Sequence, residues 1–205
     1  MPVLAPVSLA IGVLSIVGFV APAGLVVAII GVAVGTVCYL QIKRSAGELG
    51  GKALAVAGLV LSSFFLLSGS GLHAYTYATE VPEGYERMSF AWLARQEPVV
   101  RGADFELHPD ALALDGKKVF VKGYMYPTRQ QTGITRFVLC KDTGECCFGG
   151  QPKITDMIVV NMQDGLTVDH REQQLVGVAG VFRARKVVEA GQVVALYSLE
   201  GYHFR

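Results

Sequence analysis

Two long apolar runs dominate the first 79 residues of the chain. No charged residue precedes Lys43, and a second run from Ala53 to Thr79 carries no formal charge. A helix that crosses the roughly 30 Å hydrocarbon core of a bilayer needs about 20 residues, because it rises about 1.5 Å per residue. Each run is long enough for this, and residues 1–79 are predicted to form a helical membrane anchor of two or three spans.

The first run contains a break at Pro22, which removes a backbone donor and stands among glycines that lower helix propensity. Two interpretations follow. Residues 6–20 and 23–42 form a tight hairpin of two spans, or one long, kinked helix enters the membrane obliquely. Gly31 and Gly35 have the small-xxx-small spacing that lets two helices approach closely. Glycine is also simply frequent in membrane helices, and this second interpretation is favoured.

A short polar turn, Gln41–Lys52, separates the two runs. It carries the cations Lys43, Arg44 and Lys52 against the single anion Glu48. Cytoplasmic loops favour Lys and Arg, so the turn is predicted to face the cytoplasm. The second run then delivers the remainder of the chain to the extracytoplasmic, periplasmic side. A cleaved signal peptide is disfavoured because the N-terminus lacks a positively charged n-region.

Beyond the anchor the pattern changes twice. Residues 80–116 are predicted to be a membrane-proximal connector with a short amphipathic helix around Phe90–Leu93, and Ser89 is its candidate N-cap. Residues 117–205 show the alternation and β-branched composition of strands. The predicted strands cover residues 119–126, 135–140, 157–162 and 175–182, with further short strands at 187–188 and 193–197.

Five or six short strands at this spacing are typical of a small barrel or sandwich. Gly123, Gly177 and Gly180 lie inside predicted strands, where glycine often marks a bulge or a sharp bend. Strong bending is what a small closed sheet requires. The predicted fold class is therefore a membrane α-helical anchor plus an all-β, OB-like small barrel domain with a short N-terminal helix. A short open sandwich is the alternative.

The distribution of charge along the chain argues against one class of partner. Four charged side chains lie in residues 1–79, whereas the rest of the chain holds 15 Lys and Arg against 16 Asp and Glu. The second part is nearly neutral, so no basic field indicates a nucleic-acid partner. The partners predicted instead are the lipid bilayer and other membrane-protein subunits.

The most distinctive chemistry is a cysteine cluster, Cys140, Cys146 and Cys147, around a turn that ends in two glycines. Three hypotheses compete. Outside the cytoplasm, Cys140 could form a disulfide with Cys146 or Cys147. The three thiolates could bind Zn or Cu, with His108, His170 or His203 as a fourth ligand for zinc. An exposed pair could exchange electrons, although the Cys-x-x-Cys spacing tuned for redox work is absent.

Other chemistry is not indicated. Cys38 lies in an apolar run and is predicted to be a small buried hydrophobe. Gly149–Lys153 is glycine-rich but lacks the ending of a phosphate loop. No catalytic triad, His-Glu-x-x-His or paired-carboxylate pattern is present, so no catalytic residue is predicted and an enzyme is disfavoured.

Two stretches resemble known bacterial families. The first runs from Ser8 to Leu61 and is similar to the DUF4190 membrane-hairpin module of unknown function. It is carried by Gly12, Leu14, Ser15, Gln41–Ser45, Gly50–Gly51 and Ala55–Leu59. The second runs from about Phe90 to Phe182 and resembles the uncharacterised DUF3299 family. It is carried by Leu114–Val119, Gly123–Pro127, Phe137–Leu139, Cys146–Pro152 and Val178–Val181.

The second resemblance implies an OB-like β fold that is exported or membrane-anchored, and it implies no catalytic residues. Some members of that family look like neighbours of metal-transport components, which favours the metal hypothesis for Cys146 and Cys147. We expect a membrane-anchored, extracytoplasmic, non-catalytic domain that acts as a binding or accessory subunit of a membrane complex. The alternatives are a Zn or Cu handling protein that uses the cysteine cluster and, after it, a thiol-redox protein.

Overall fold

The structure is a computed structural model that describes residues 4–45, 50–101, 104–126, 129–142, 153–189 and 191–205. The chain divides into two compact units, Met1–Glu80 and Val81–Arg205. The first unit is helical and the second consists mostly of β-sheet.

The helical unit contains three α-helices, α1 (Leu4–Leu14), α2 (Leu25–Arg44) and α3 (Lys52–Thr79), with 3-10 turns at Ser15–Phe19 and Pro22–Gly24. Each α-helix packs against the other two. Two helical segments are long and apolar enough to cross a membrane by length and composition, Pro22–Arg44 with 23 residues and Lys52–Thr79 with 28. The first apolar segment, Ala5–Phe19, is shorter.

The break predicted at Pro22 separates α1 from α2, and the two helices form a hairpin and not one kinked helix. Ala21 is extended and Pro22 occupies the first position of the following 3-10 turn, where its missing N–H costs nothing. The break leaves the carbonyl of Gly18 without a helical partner, and His73 Nε2 lies 2.7 Å from that oxygen. Because a carbonyl only accepts, this contact requires the proton on Nε2.

Small residues fill the interior of the helical unit. The buried positions recur at intervals of three and four, which is the spacing of a helix–helix seam. They are Ala5, Ser8, Gly12, Ser15, Gly18, Gly24, Ala28, Gly31, Gly35, Cys38, Ile42, Ala55, Gly58, Ser62 and Gly69. A Cβ at Gly58 would lie 2.5 Å from the Ser8 backbone, and one at Gly31 would lie 2.2 Å from Ser62 Oγ. Gly31 and Gly35 therefore mark real close contacts between helices, and the favoured interpretation that they were merely frequent residues was wrong.

The described residues of the second unit form ten strands, two one-turn α-helices and a 3-10 turn at Ile154–Asp156. In chain order these are β1 (Glu86–Met88), α4 (Phe90–Leu93), β2 (Val99–Arg101), β3 (Asp104–Glu106), α5 (Pro109–Leu112), β4 (Lys118–Met125), β5 (Arg136–Cys140), β6 (Met157–Met162), β7 (Leu175–Arg183), β8 (Val187–Glu189), β9 (Gln192–Ala195) and β10 (Tyr197–Phe204). Six strands form the main sheet in the order β1-β4-β5-β6-β10-β7, with a further pairing between β4 and β7. The pairs β2–β3 and β8–β9 form separate two-stranded sheets.

The segment expected to be a connector, residues 80–116, belongs to the second unit almost entirely. Strand β1 pairs in parallel with β4. The predicted short helix is present as α4, and the Ser89 hydroxyl accepts a hydrogen bond from the Trp92 N–H at 3.2 Å, as an N-cap should. Phe90 and Leu93 are buried in the core of the sheet.

Large side chains fill the interior of this unit. The least exposed include Leu93, Leu139, Ile158, Phe182, Tyr197 and Leu199. The Phe182 and Tyr197 rings stack with centroids 5.5 Å apart. The Tyr197 hydroxyl is buried among these side chains and has no hydrogen-bond partner among the described residues, which is uncommon for a buried polar group.

The glycines within the strands allow close approach, and the β4–β7 pairing runs through them without a bulge. A Cβ at Gly177 would lie 2.5 Å from the Phe120 ring, and one at Gly123 would lie 2.6 Å from the Cys140 carbonyl oxygen. Where the main sheet is described, its register shifts once, between Gly201 and His203 in β10. The sequence pattern missed most of β10, because Glu200, Gly201 and His203 interrupt its apolar alternation.

Candidate functional site

Cys140 is the one member of the predicted cysteine cluster within the described residues. It ends β5, where it lies opposite Tyr124 of β4 and Met157 of β6. The residue is 2 % exposed. Among the described residues, Cys38 and Cys140 are free thiols and both are buried, in agreement with the role predicted for Cys38.

The surroundings of Cys140 disfavour its thiolate form. Burial, and to a smaller extent the nearby carboxylates of Asp142 and Asp156, raise the pKa of the Cys140 thiol to about 11. Asp156 is held in place because its carbonyl oxygen accepts the Lys141 N–H at 3.1 Å. The thiol is therefore protonated at neutral pH unless a cation displaces its proton.

Cys146 and Cys147 lie in residues 143–152, outside the described residues. The predicted metal site and the predicted disulfide both need one or both of these thiols, so both stay predictions. Within the described ranges, no group of three His, Cys, Asp or Glu side chains could hold a metal ion.

The three histidines considered as zinc ligands occupy different elements. His108 precedes α5, and its Nδ1 accepts the Asp110 N–H at 3.2 Å. His170 lies in the loop after β6, with its Nδ1 buried and without a partner in the described part of the chain. His203 is on β10, where its ring meets Tyr85 edge-on at 5.7 Å.

The three cations expected to determine topology lie at the junction of two helices. Lys43 and Arg44 are in the last turn of α2, where positive charge is favourable for the helix dipole. Lys52 begins α3, directly after Gly51, whose φ of 100° is a conformation that favours glycine. All three cations therefore lie next to the same interhelical turn.

A cleft that the sequence did not predict opens beside the C-terminal half of β10. Its volume is about 480 Å³. It is lined by three groups of residues: Met162 at the end of β6, residues 166–169 and Arg171 of the following loop, and Tyr202–Phe204 of β10. Met162 and Val168 are buried, whereas Leu166 is 42 % exposed.

Backbone hydrogen bonds fix the loop wall of this cleft. Ile134 and Val168 exchange two N–H···O bonds of 2.8 and 2.9 Å. The Gly133 N–H donates to the Asp169 carboxylate at 3.3 Å. On the other wall, the Gln163 N–H donates to the Gly201 carbonyl at 2.9 Å. The two walls of the cleft, the loop after β6 and strand β10, are thus both held by backbone hydrogen bonds.

The irregularity in β10 shapes the second wall. Gly201 pairs with Gly180 and His203 with Ala179, so Tyr202 is the extra residue. A bulge re-aims the side chains around it, and here it lies at Tyr202 and His203 of the cleft. Gly201, directly before Tyr202, is the one sign of this bulge in the sequence. It indicates a bulge only if the residues around it form a strand.

Comparisons with known proteins find a distant structural neighbour of the second unit's size class and no sequence relative. No family model matches the chain, and no curated protein matches it. The crystal structure of a DUF3299 family protein from Pseudomonas aeruginosa matches with a TM-score of 0.43 and 19% sequence identity, over 58% of this chain and 94% of that one. The resemblance to the DUF4190 module stays a prediction.

Proposed function

We propose that this chain is a membrane-anchored protein whose second unit is a non-catalytic binding or accessory domain on the extracytoplasmic side. The observation that carries the proposal is the arrangement of the helical unit, in which small residues point inward and large apolar residues outward.

The outward face of the helices supports a lipid environment. Val20, Leu67 and Tyr75 are 85%, 74% and 67% exposed, and many other large apolar side chains on these helices are exposed as well. Water-soluble monomers rarely expose contiguous apolar patches of more than a few hundred Å². Membrane helices, in contrast, associate through small residues that let their backbones approach, since lipid supplies no hydrophobic force between them.

The orientation follows from the cations. Lys43, Arg44 and Lys52 beside the turn between α2 and α3 favour a cytoplasmic location for that turn. Helix α3 then leads to the opposite side, and Val81–Arg205 is proposed to lie in the periplasm of a bacterium with its anchor in the inner membrane. Other membrane-protein subunits are its proposed partners.

An OB-like barrel is the architecture proposed for the second unit. The strand order supports it, because β4, β5, β6, β10 and β7 pair in turn and β7 pairs again with β4. Only β6 and β10 run parallel among these pairs. Such an order is that of a five-stranded Greek-key barrel, a fold whose surface binds many unrelated ligands.

Topology reporters test the anchor. Alkaline phosphatase fused after Arg205 should be active and a fluorescent protein at the same place dark, while fusions after Ser45 should give the opposite result. Replacing Lys43, Arg44 and Lys52 by glutamate should give a mixed or inverted orientation of the chain in the membrane. A chain that stays in the supernatant without detergent would contradict the proposal.

The metal hypothesis remains a second proposal for Cys140, Cys146 and Cys147. It is supported by the carboxylates of Asp142 and Asp156, whose negative charge acts on the Cys140 thiol and would favour a cation there. Purified chain should then contain Zn or Cu in a fixed ratio, and replacing Cys146 and Cys147 by serine should remove it. Unchanged metal content would contradict this proposal.

A thiol-redox function is the weakest of the three. A buried thiol with a pKa of about 11 is a poor nucleophile at neutral pH, because the thiolate is the reactive form. This hypothesis requires a reversible change in the free-thiol count, which a thiol titration beside the elemental analysis would measure.

A further inference from the structure

Arg171 is a cation without an ion pair among the described residues. Its guanidinium carbon lies 5.4 Å from the centre of the Phe204 ring. That ring is itself fixed, because it meets Phe137 edge-on at 6.0 Å. A cation–π contact of this kind consumes none of the guanidinium N–H groups, which are left to donate to an anionic acceptor.

The one carboxylate that lines the cleft does not neutralise Arg171. No ion pair joins it to Asp169, whose carboxylate accepts the Gly133 N–H instead. His203, which lines the same cleft, is exposed and touches Tyr85 through its ring. Among the described residues, the lining therefore holds one cation and one carboxylate, and the Arg171 guanidinium is not paired with that carboxylate, so it is open to an anionic group that enters the cleft.

The rest of the lining is mixed, with the hydroxyl-bearing Thr167 and Tyr202 next to apolar side chains. Met162, Leu166, Val168 and Phe204 provide aliphatic and aromatic surface beside the cation. A volume of about 480 Å³ lies within the range of roughly 300–1,000 Å³ that is usual for small-molecule sites. Because the cleft walls are hydrogen-bonded to the sheet, a ligand would not have to order them first.

We propose that this cleft binds a small organic anion, a carboxylate or a phosphate ester attached to an apolar body. The Arg171 guanidinium receives the anionic group through charge-assisted hydrogen bonds. The apolar body covers Val168, Met162 and Leu166. This inference rests on the binding role proposed above and names the ligand class of that domain.

The test uses the full chain purified in detergent and fluorine NMR of two anionic probes, 4-fluorobenzoate and 4-fluorophenyl phosphate. The neutral 4-fluorobenzamide, nearly the same shape as the benzoate, is the control ligand. At least one anion should bind in the millimolar range or better. It should bind about tenfold or more tightly than the amide, since a hydrogen bond to a charged group is strong. Added salt should weaken it.

Variants locate the site. Arg171→Gln should weaken binding of the anion about tenfold or more and leave the amide unchanged. Arg171→Lys keeps the charge but loses the planar fork, and should fall in between. Arg87→Gln is the matched control, because Arg87 also lies over a phenylalanine, Phe120 at 6.0 Å, but does not line the cleft. It should leave binding unchanged.

Three results would overturn the inference: no binding of either anion, equal binding of amide and anion, or full binding by Arg171→Gln. None of them bears on the membrane anchor, which the topology reporters test independently. Conversely, a failure of the topology test leaves the binding measurement valid, because the probes are added to purified chain.

Discussion

The two units of this protein have interiors made of side chains of opposite size. In the helical unit, alanine, serine and glycine line the interior and leucine, valine and phenylalanine point outward. In the sheet unit, Leu139, Ile158 and Phe182 are fully buried. This difference agrees with the environments proposed for the two units: water drives large apolar side chains inward, whereas helices in lipid associate mainly through close backbone approach.

The two units should therefore be sensitive to different kinds of substitution. The sheet unit loses stability when a large side chain is removed from its interior, because a cavity remains. The helical unit loses it when a side chain is added, because backbones are already in contact at Gly58 and Ser8.

Phe182→Ala should destabilise the sheet unit by about 4 kcal/mol, since it leaves a cavity in a core that is closed to solvent. Trp92 is the sole tryptophan of the chain and packs against this core. Its fluorescence in a urea titration therefore reports on this unit. Val188→Ala, at a position that is 57% exposed, is the control and should stay within about 0.5 kcal/mol. A small effect of Phe182→Ala would mean that the core is not closely packed.

Gly58→Val should destabilise the helical unit by roughly 3 kcal/mol, because its Cβ would meet the Ser8 backbone at 2.5 Å. Gly71→Val is the matched control in the same helix, where a Cβ meets nothing within 4 Å. The helical circular dichroism signal in a titration with a denaturing detergent measures both. Equal stability of the two variants would contradict the claim that close backbone contact at Gly58 holds the helical unit together.

Tyr197→Phe should stabilise the sheet unit by about 1 kcal/mol. The hydroxyl is buried without a hydrogen-bond partner among the described residues, so its removal relieves a desolvation cost. Tyr126→Phe, with a side chain 43% exposed, should change stability little. Loss of stability in Tyr197→Phe would show that the hydroxyl has a partner.

Leu67→Ala should change the stability of the helical unit by less than about 0.5 kcal/mol in mild detergent, since this side chain is 74% exposed. The same denaturing-detergent titration measures it. A cost near that of Phe182→Ala would indicate that this face packs against protein, as an accessory subunit of a membrane complex requires.

Glu200→Gln should give the smallest effect, and one that depends on pH. Hydrogen bonds from Arg183, at 3.0 and 3.1 Å, lower the pKa of the Glu200 carboxyl below its ordinary value of 4.5. The carboxylate therefore contributes stability above that value, and the contribution is lost as pH falls through the lowered pKa. Wild type and variant should differ near neutral pH and converge in acid, as melting temperatures across pH would show. A constant difference would exclude the ion pair as its cause.

The sequence alone determined the elements that depend on local pattern. The two apolar runs, the break at Pro22, the Ser89 cap and strands such as Met157–Met162 were predicted from composition and period, because each is decided within a few neighbouring residues. The sequence also singled out Cys140, but its burial and the effect of Asp156 on its pKa follow from β5 and the chain that returns to it.

The contacts between residues that are distant in the chain depend on the tertiary structure. The small-residue seam becomes visible only when three helices are brought side by side, and the interrupted pattern of β10 forms a strand because β6 and β7 supply its partners. The cleft joins Arg171 to Phe204, which are 33 positions apart in the chain. Pairing between remote segments is set by packing and by strand partners, and no local pattern of hydrophobic and polar residues carries that information.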